Sequence, residues 1–436
     1  MKQRTKVNII TMGCSKNLVD SEVLMKQLSI NGFEVVADSD KDDAPIVIIN
    51  TCGFINDAKE ESVNTILSFT ELRKKGKIDK LIVMGCLSEH YGKELSSEIP
   101  EVDRFYGKFD IPQIIKDLDG IYSESNFYQR IQTTPKHYEF LKIAEGCNHG
   151  CSFCAIPNFT GRYKSRKPES LIKEANELVA DGVKELLIIA QDLSCYGKDL
   201  NGEFLLPELI RQLSDIKGLD WIRLHYTYPT EFPSEILTVM RERKNVCNYL
   251  DIPVQQISDN VLKLMHRRIT GAETKQLLKK IRKEVPGISL RTTLLVGHPG
   301  ETEQDFEELK DFIREYPFER LGVFTYSHEE DTYCYKHYKD DIPEDVKKRR
   351  ASEIMEIQQH ISAKMNHRYI GNILKVLIDR EEEDSYVGRT EYDSPEVDGE
   401  VMIKKEKLLI VGNFYNVKIT GASDYDLFGY VTFDKK

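Results

Sequence analysis

Gly146-Cys147-Asn148-His149-Gly150-Cys151-Ser152-Phe153-Cys154-Ala155 sets three cysteines in a C-x3-C-x2-C spacing, with no fourth cysteine close behind. A 4Fe-4S cubane needs a ligand on each of its four irons, so three thiolates leave one iron open to a small molecule. An open iron points to chemistry beyond electron storage. The competing reading is a structural zinc site. Zinc, however, usually takes paired C-x2-4-C units or cysteine with histidine and closes its shell with four ligands, which suits this spacing less well.

Around that segment lie 436 residues, enough for about three domains at the usual ~100 to 200 residues each. Apolar residues make up 40% and charged residues 31%, and no apolar run approaches the roughly 20 residues of a membrane-spanning helix. The run at 7–12 behind the basic N-terminus is too short for a signal peptide core and reads as a buried first strand. Nine cysteines are an odd number, and thiols kept for metal imply a reducing cytoplasm. The net charge of -11 argues against broad attraction to nucleic acid and favours a basic partner.

The first ~130 residues alternate strand and helix in the manner of an α/β unit. Three short apolar runs each end at a cysteine: 7–12 before Cys14, 46–49 before Cys52 and 81–84 before Cys86. Helical patterns fill the gaps, one from Leu18 towards a C-cap at Gly32 and one at 58–74. In an open parallel sheet the strand C-termini face one crevice, so these three cysteines converge and form a second three-thiolate set. From about Tyr138 a strand-helix unit repeats six times, with strands at 140–144, 185–190, 221–226, 248–254, 289–296 and 321–326. The matching helices fall near 168–180, 207–216, 233–241, 258–266, 302–315 and 343–366. Such units build a partial (β/α)6 TIM-like barrel whose active centre lies at the strand C-termini. Past Tyr369, five short strands at 373–379, 385–389, 397–403, 416–421 and 427–433 suggest a small closed β-barrel similar to an OB-fold.

Several stretches then combine: Gly13-Cys-Ser-Lys-Asn-Leu-Val-Asp-Ser-Glu22, Asn50-Thr-Cys-Gly-Phe-Ile55, Gly85-Cys-Leu87, the Cys147 triplet, and Arg291-Thr-Thr-Leu-Leu-Val-Gly-His-Pro-Gly-Glu301. Together they resemble the methylthiotransferase family of radical S-adenosylmethionine enzymes over essentially the whole length. The resemblance implies an N-terminal methylthiotransferase domain (1–133), a radical core (134–367) and a TRAM β-barrel (368–436). The residues after Cys14 and Cys52 look like the branch that acts on ribosomal protein, with the tRNA adenosine branch as the alternative. The implied reaction places a methylthio group on the β-carbon of an aspartate of small-subunit ribosomal protein twelve, drawing on an electron donor and a sulfur donor. The implied cofactors are S-adenosylmethionine and two 4Fe-4S clusters, one on Cys147, Cys151 and Cys154 and one on Cys14, Cys52 and Cys86. Sulfur insertion at an unactivated carbon needs a radical, which cleavage of the cofactor's sulfonium by one electron provides.

Cofactor contacts are expected from Phe153, from Gln191 and Asp192 after the second barrel strand, from Arg223 near the third, and from the turn glycines Gly297 and Gly300. Two departures from the family stand out: Gln255-Gln256 replaces a Gln-His pair, and Asp331-Thr-Tyr-Cys334 replaces Gly-Thr-Pro-Ala. Residues 370–436 carry nine basic and fourteen acidic residues, a net of -5, the reverse of an RNA-binding footprint. A noncatalytic iron-sulfur scaffold is a third reading, which two open three-thiol sets argue against.

Overall fold

The computed structural model describes residues 4–39, 41, 43–126 and 128–432, and three sheets organise them. The first is parallel, in the order β2-β1-β3-β4-β5, from β1 Lys6–Thr11, β2 Glu34–Ala37, β3 Ile46–Thr51, β4 Lys80–Gly85 and β5 Arg104–Phe105. Continuous apolar runs give its central strands, because helices cover both faces. Those helices include α1 Ser15–Ile30, α2 Asn56–Lys74 and α3 Cys86–Glu98. The short outer strands β2 and β5 are additions to the expected three-strand pattern.

The second sheet is the partial barrel, six parallel strands in the order β13-β12-β11-β10-β9-β6. They are β6 Tyr138–Lys142, β9 Glu185–Ile189, β10 Trp221–Leu224, β11 Val246–Asp251, β12 Ser289–Val296 and β13 Arg320–Thr325. A two-stranded ribbon, β7 Ala144–Glu145 with β8 Lys164–Ser165, closes the loop that carries Cys147, Cys151 and Cys154. Among the described residues the chain inserts one long helix beyond the expected six, Gly271–Glu284, and three short ones, Ile156–Thr160, Lys198–Asn201 and Tyr333–His337. The long one is started by a capping box in which Thr270 and Glu273 satisfy each other's backbone N–H.

The third sheet is a closed barrel, β14-β15-β16-β18-β17, from β14 Ile373–Glu381, β15 Ser385–Arg389, β16 Val401–Lys404, β17 Phe414–Ala422 and β18 Leu427–Val431. Phe433, assigned to its last strand from sequence, lies outside the described residues. The stretch 389–398 leaves this barrel and runs along the lumen side of the partial barrel. There Arg320 meets Asp393, Arg291 and Tyr249 meet Asp398, Tyr138 meets Glu396, and His225 meets Ser394. Arg223 belongs to this plug, which corrects its expected place among the cofactor contacts. Its guanidinium donates to Glu185 Oε1 at 2.8 Å and to the Glu391 and Thr390 carbonyls at 2.7 and 3.4 Å. As the third of four residues in β10 it faces the lumen rather than the strand's C-terminal rim. No helix among the described residues is long and apolar enough to cross a membrane.

Candidate functional site

Register brings the first cysteine set together. Thr11 of β1 pairs with Asn50 of β3, and Thr51 of β3 with Gly85 of β4, so Cys14, Cys52 and Cys86 leave three adjacent strands at one edge. The loops approach so closely that side chains are excluded. A Cβ on Gly13, whose φ is +87°, would lie 2.7 Å from Cys52 Cβ, and one on Gly53 would lie 2.8 Å from the Leu87 nitrogen. Gly85, at φ +103°, would clash with the Thr51 carbonyl at 2.5 Å. These positions require the smallest residue, for left-handed backbone and for close approach alike. Asn17 ties the loops: its Nδ2 donates to the Met12 and Thr51 carbonyls at 3.1 and 3.0 Å, and its Oδ1 lies 3.7 Å from Cys86 Sγ.

All nine cysteines are free thiols. Burial raises the Cys52 thiol and pushes Cys86 up to about 12. At Cys14 the surrounding protein also raises the thiol, but Lys16, the Asn17 N–H and Lys108 outweigh it and the net shift is downward. A soft donor set of three thiols in a prebuilt cradle, with cations beside it, suits a cluster whose thiolates carry negative charge.

The second set follows β6. Gly146 turns the chain so tightly that a Cβ there would sit 2.2 Å from the Arg162 carbonyl oxygen, and Asn148 Oδ1 accepts the Tyr163 N–H at 3.1 Å. Burial pushes Cys147 up to about 11 and raises Cys154 further. Beside Cys151, Tyr228 Oη lies 3.5 Å and Arg267 Nη1 3.9 Å from the sulfur. The rings of His149 and Tyr228 stack 3.6 Å apart, and Arg267 covers Tyr228 at 4.0 Å. His149, Tyr228 and Arg267 thus form a stack that sequence reasoning missed, since they come from three distant loops.

The expected cofactor residues divide. Asp192 is buried and fully engaged: Oδ1 accepts from the Ser194 and Tyr228 N–H groups at 2.7 and 3.1 Å, and Oδ2 lies 2.6 Å from His149 Nε2. It orders the cysteine loop through His149. Phe153 is half-buried in a cluster with Leu295, Tyr326 and Cys334, and Gln191 is half-buried just past β9. Gly297 (φ +79°) and Gly300 (φ +82°) take left-handed backbone, and a Cβ would strike the Lys347 side chain at 2.4 Å at the first and Leu264 at 2.7 Å at the second, so conformation and packing both favour glycine there. The two departures are structural as well. Gln256 Nε2 donates to Glu301 at 3.2 Å. Cys334 Sγ lies 3.2 Å from both Ser152 Oγ and His298 Nε2, and its N–H donates to the Ser152 carbonyl at 2.8 Å, pinning the loop between Cys151 and Cys154.

Both cysteine sets flank the segment after β10. Tyr228 touches Cys151, while two residues earlier the Tyr226 ring lies under Lys16, the second residue beyond Cys14. Lys108 bridges as well, pairing with Glu145 at 3.2 Å just ahead of Cys147, helping to lower the Cys14 thiol and offsetting part of the rise that burial imposes on Cys86.

Residues 6–107 match the uncharacterized protein family UPF0004, 141–313 the Radical SAM superfamily and 370–432 the TRAM domain. The ribosomal protein uS12 methylthiotransferase RimO of Parabacteroides distasonis is 56% identical over 429 residues, covering 98% of this chain and 99% of its own. The protein of the same name from Christiangramia forsetii is 51% identical over 428 residues, covering 98% and 94%. Among solved structures, the cobalamin-dependent S-adenosylmethionine radical enzyme OxsB superposes with a TM-score of 0.53 at 14% identity, covering 82% of this chain and 56% of that one. The radical S-adenosylmethionine methyltransferase TsrM from Kitasatospora setae reaches 0.50 at 15% identity, covering 73% of each. These two likenesses concern fold alone. The superfamily implies a 4Fe-4S cluster and S-adenosylmethionine, and the three free thiols after β6 fit that cluster. With near-complete coverage by relatives above half identity, the chain belongs to the RimO family of methylthiotransferases within the radical S-adenosylmethionine superfamily.

Proposed function

We propose that this chain adds a methylthio group to the β-carbon of an aspartate of ribosomal protein uS12, using two 4Fe-4S clusters, one on Cys147, Cys151 and Cys154 and one on Cys14, Cys52 and Cys86. The observation that carries the reading is the placement of two three-thiol sets on either side of the segment Tyr226–Tyr228. When bound, the cofactor and first cluster supply the radical that removes hydrogen from the substrate carbon, and the second cluster supplies the methylated sulfur. The protein's own residues hold and orient. Asp192 and His149 fix the cysteine loop, Cys334 and His298 lock Ser152 within it, and Phe153 and Gln191 remain the candidates for touching S-adenosylmethionine. An electron donor and a sulfur donor come from outside the chain, in a reducing cytoplasm that keeps the thiols free. The acidic C-terminal region supports a basic protein partner over tRNA.

The test is anaerobic reconstitution followed by iron analysis and mass spectrometry of uS12. Wild type should bind about eight irons, four per cubane. Cys151→Ala should lose half the iron and all 5'-deoxyadenosine formation. Cys52→Ala should lose half the iron and the methylthio product while still cleaving the cofactor. Product from the Cys52→Ala protein would refute the second cluster, and methylthiolated tRNA without modified uS12 would refute the substrate.

A further inference from the structure

Lys16 is the second residue of α1 and only 6% exposed, and among the described residues its ammonium has no carboxylate at ion-pair distance; the acidic groups that act on it are chiefly the Tyr226 phenol and the Cys14 thiol. The ammonium lies over the face of the Tyr226 ring, 3.8 Å from the centroid. A buried charge is costly unless paired, so an ammonium enclosed in this way points to a partner that arrives with a ligand.

The neighbouring groups do not fill that role. Glu145 is held by Lys142 and by Lys108 at 3.2 Å. Asp251 accepts the Tyr226 N–H at 3.1 Å on Oδ2 and faces Arg291 at 3.7 Å on Oδ1. Lys108, the other cation near Cys14, is satisfied by Glu145 and by Asp20 at 3.6 Å. His225 is occupied by Ser394 at 3.1 Å. Lys16 lacks a carboxylate at ion-pair distance among the described residues, whereas Lys108 and Arg291 each have one.

Tyr226 supplies an independent observation. Its φ is +59°, a left-handed conformation that a bulky aromatic residue adopts only under strain, and such strain collects at functional sites. The strained turn places the ring beneath the ammonium. It does so between Cys14, two residues before Lys16, and Tyr228, which touches Cys151.

We propose that Lys16 receives the side-chain carboxylate of the substrate aspartate and so fixes the β-carbon between the two thiol sets. The assignment rests on the function proposed above and deepens it, naming what distinguishes aspartate from its neutral analogue. Three ammonium donors suit a carboxylate, and the Tyr226 face limits the directions from which it binds.

The test crosses enzyme and substrate changes in the reconstituted full-length protein. Wild type and Lys16→Met are each given uS12 with its native aspartate and uS12 with asparagine in its place. Wild type should prefer aspartate by roughly a hundredfold in kcat/KM, the upper end of what a buried polar partner loses when its hydrogen bond is not made, since asparagine keeps a carbonyl acceptor but not the charge. In Lys16→Met the preference should fall to within about threefold, as a double-mutant cycle requires when the two changed groups contact each other. Lys16→Arg should restore part of it. A hundredfold preference that survives in Lys16→Met overturns the assignment and makes Lys16 a support for Cys14. Should Lys16→Met fail to load iron, Lys16→Arg and the binding of both uS12 forms to wild-type holoenzyme decide: equal affinity for aspartate and asparagine forms overturns it. Absence of any uS12 product from wild type overturns the function reading itself, and this assignment with it.

Discussion

Replacing Asp393 with alanine removes the carboxylate that anchors the C-terminal barrel in the lumen of the partial barrel. Asp393 Oδ1 accepts from Arg320 Nε at 2.8 Å and is also met by Nη2, and its Oδ2 accepts from Thr390 Oγ1 at 2.7 Å. The two side chains are 3% and 10% exposed, so solvent cannot replace the lost partner. In the variant the guanidinium keeps the Glu319 carbonyl at 2.8 Å and a long contact to Asn366 at 3.5 Å. Breaking a buried pair from one side costs about 3 to 5 kcal/mol. With roughly 2 to 4 °C of Tm per kcal/mol for a unit of about 150 to 250 residues, the melting point should fall by about 10 °C. The control is Asp311→Ala, whose pair with Arg314 at 2.9 Å is 78% and 53% exposed and is worth under about 1 kcal/mol. Thermal unfolding followed by circular dichroism reads both. Guanidinium midpoints serve as a second measure, because a chain of three sheets need not unfold in one step. An Asp393→Ala protein that melts within about 2 °C of the Asp311→Ala control would refute the claim that residues 389–398 stabilise the lumen.

Two further outcomes follow from the same interface. A fragment spanning 134–366 holds every strand of the partial barrel but lacks 389–398, leaving Arg223, Arg291 and Arg320 without Glu391, Asp398 and Asp393. It should be insoluble or unfolded at 37 °C, and a soluble fragment that loads four irons would contradict this. Asp379, between His137 at 2.8 Å and Arg389 at 2.9 Å, has its carboxyl raised by burial but lowered more by the Arg389 guanidinium and the His137 hydrogen bond, for a net downward shift. A depressed folded value adds stability above the ordinary carboxyl range of about 4 and loses it as pH falls through the folded value. Asp379→Asn should therefore flatten the loss of stability below about pH 4, and an unchanged acid limb in denaturant midpoints would count against it.

The convergence of Cys14, Cys52 and Cys86 was legible because each ends an apolar run, and parallel strands deliver their C-termini to one edge. The Cys147 triplet was legible from spacing alone. The lumen plug was not. Arg223 and Glu391 stand 168 residues apart, and no periodicity links them. The strand-end rule that placed Arg223 near a cofactor counts residues along the chain but does not say which way a strand residue points. The extra helix Gly271–Glu284 escaped because one helix per strand was counted, although Thr270 and Glu273 spell a capping box. Lys16 stood inside a quoted motif, but its burial over the Tyr226 ring with no carboxylate at ion-pair distance among the described residues is a fact of three dimensions.

The same geometry explains why chemistry is confined to one end of the partial barrel. Strand N-termini and lumen are taken up by 389–398, whose acids neutralise Arg291 and Arg320 and whose carbonyls satisfy Arg223. The opposite end carries Cys147, Cys151 and Cys154, and the N-terminal sheet is fastened to the partial barrel by buried charge. Arg130 binds Glu22 of α1 at 2.9 Å together with Glu139 at 3.3 Å and Glu174 at 3.0 Å. Across the cleft, Tyr91 meets Glu330 at 3.2 Å and His90 meets Asp331 at 3.3 Å, so the loop that ends in Cys334 is held from both sides. That loop in turn grips Ser152 between two cluster cysteines. Asp331-Thr-Tyr-Cys334, standing where the family has Gly-Thr-Pro-Ala, therefore braces the cysteine loop in this chain. Asp331 contributes the contact to the N-terminal sheet and Cys334 the contact to Ser152, and the thiol positions are kept without adding a ligand to them.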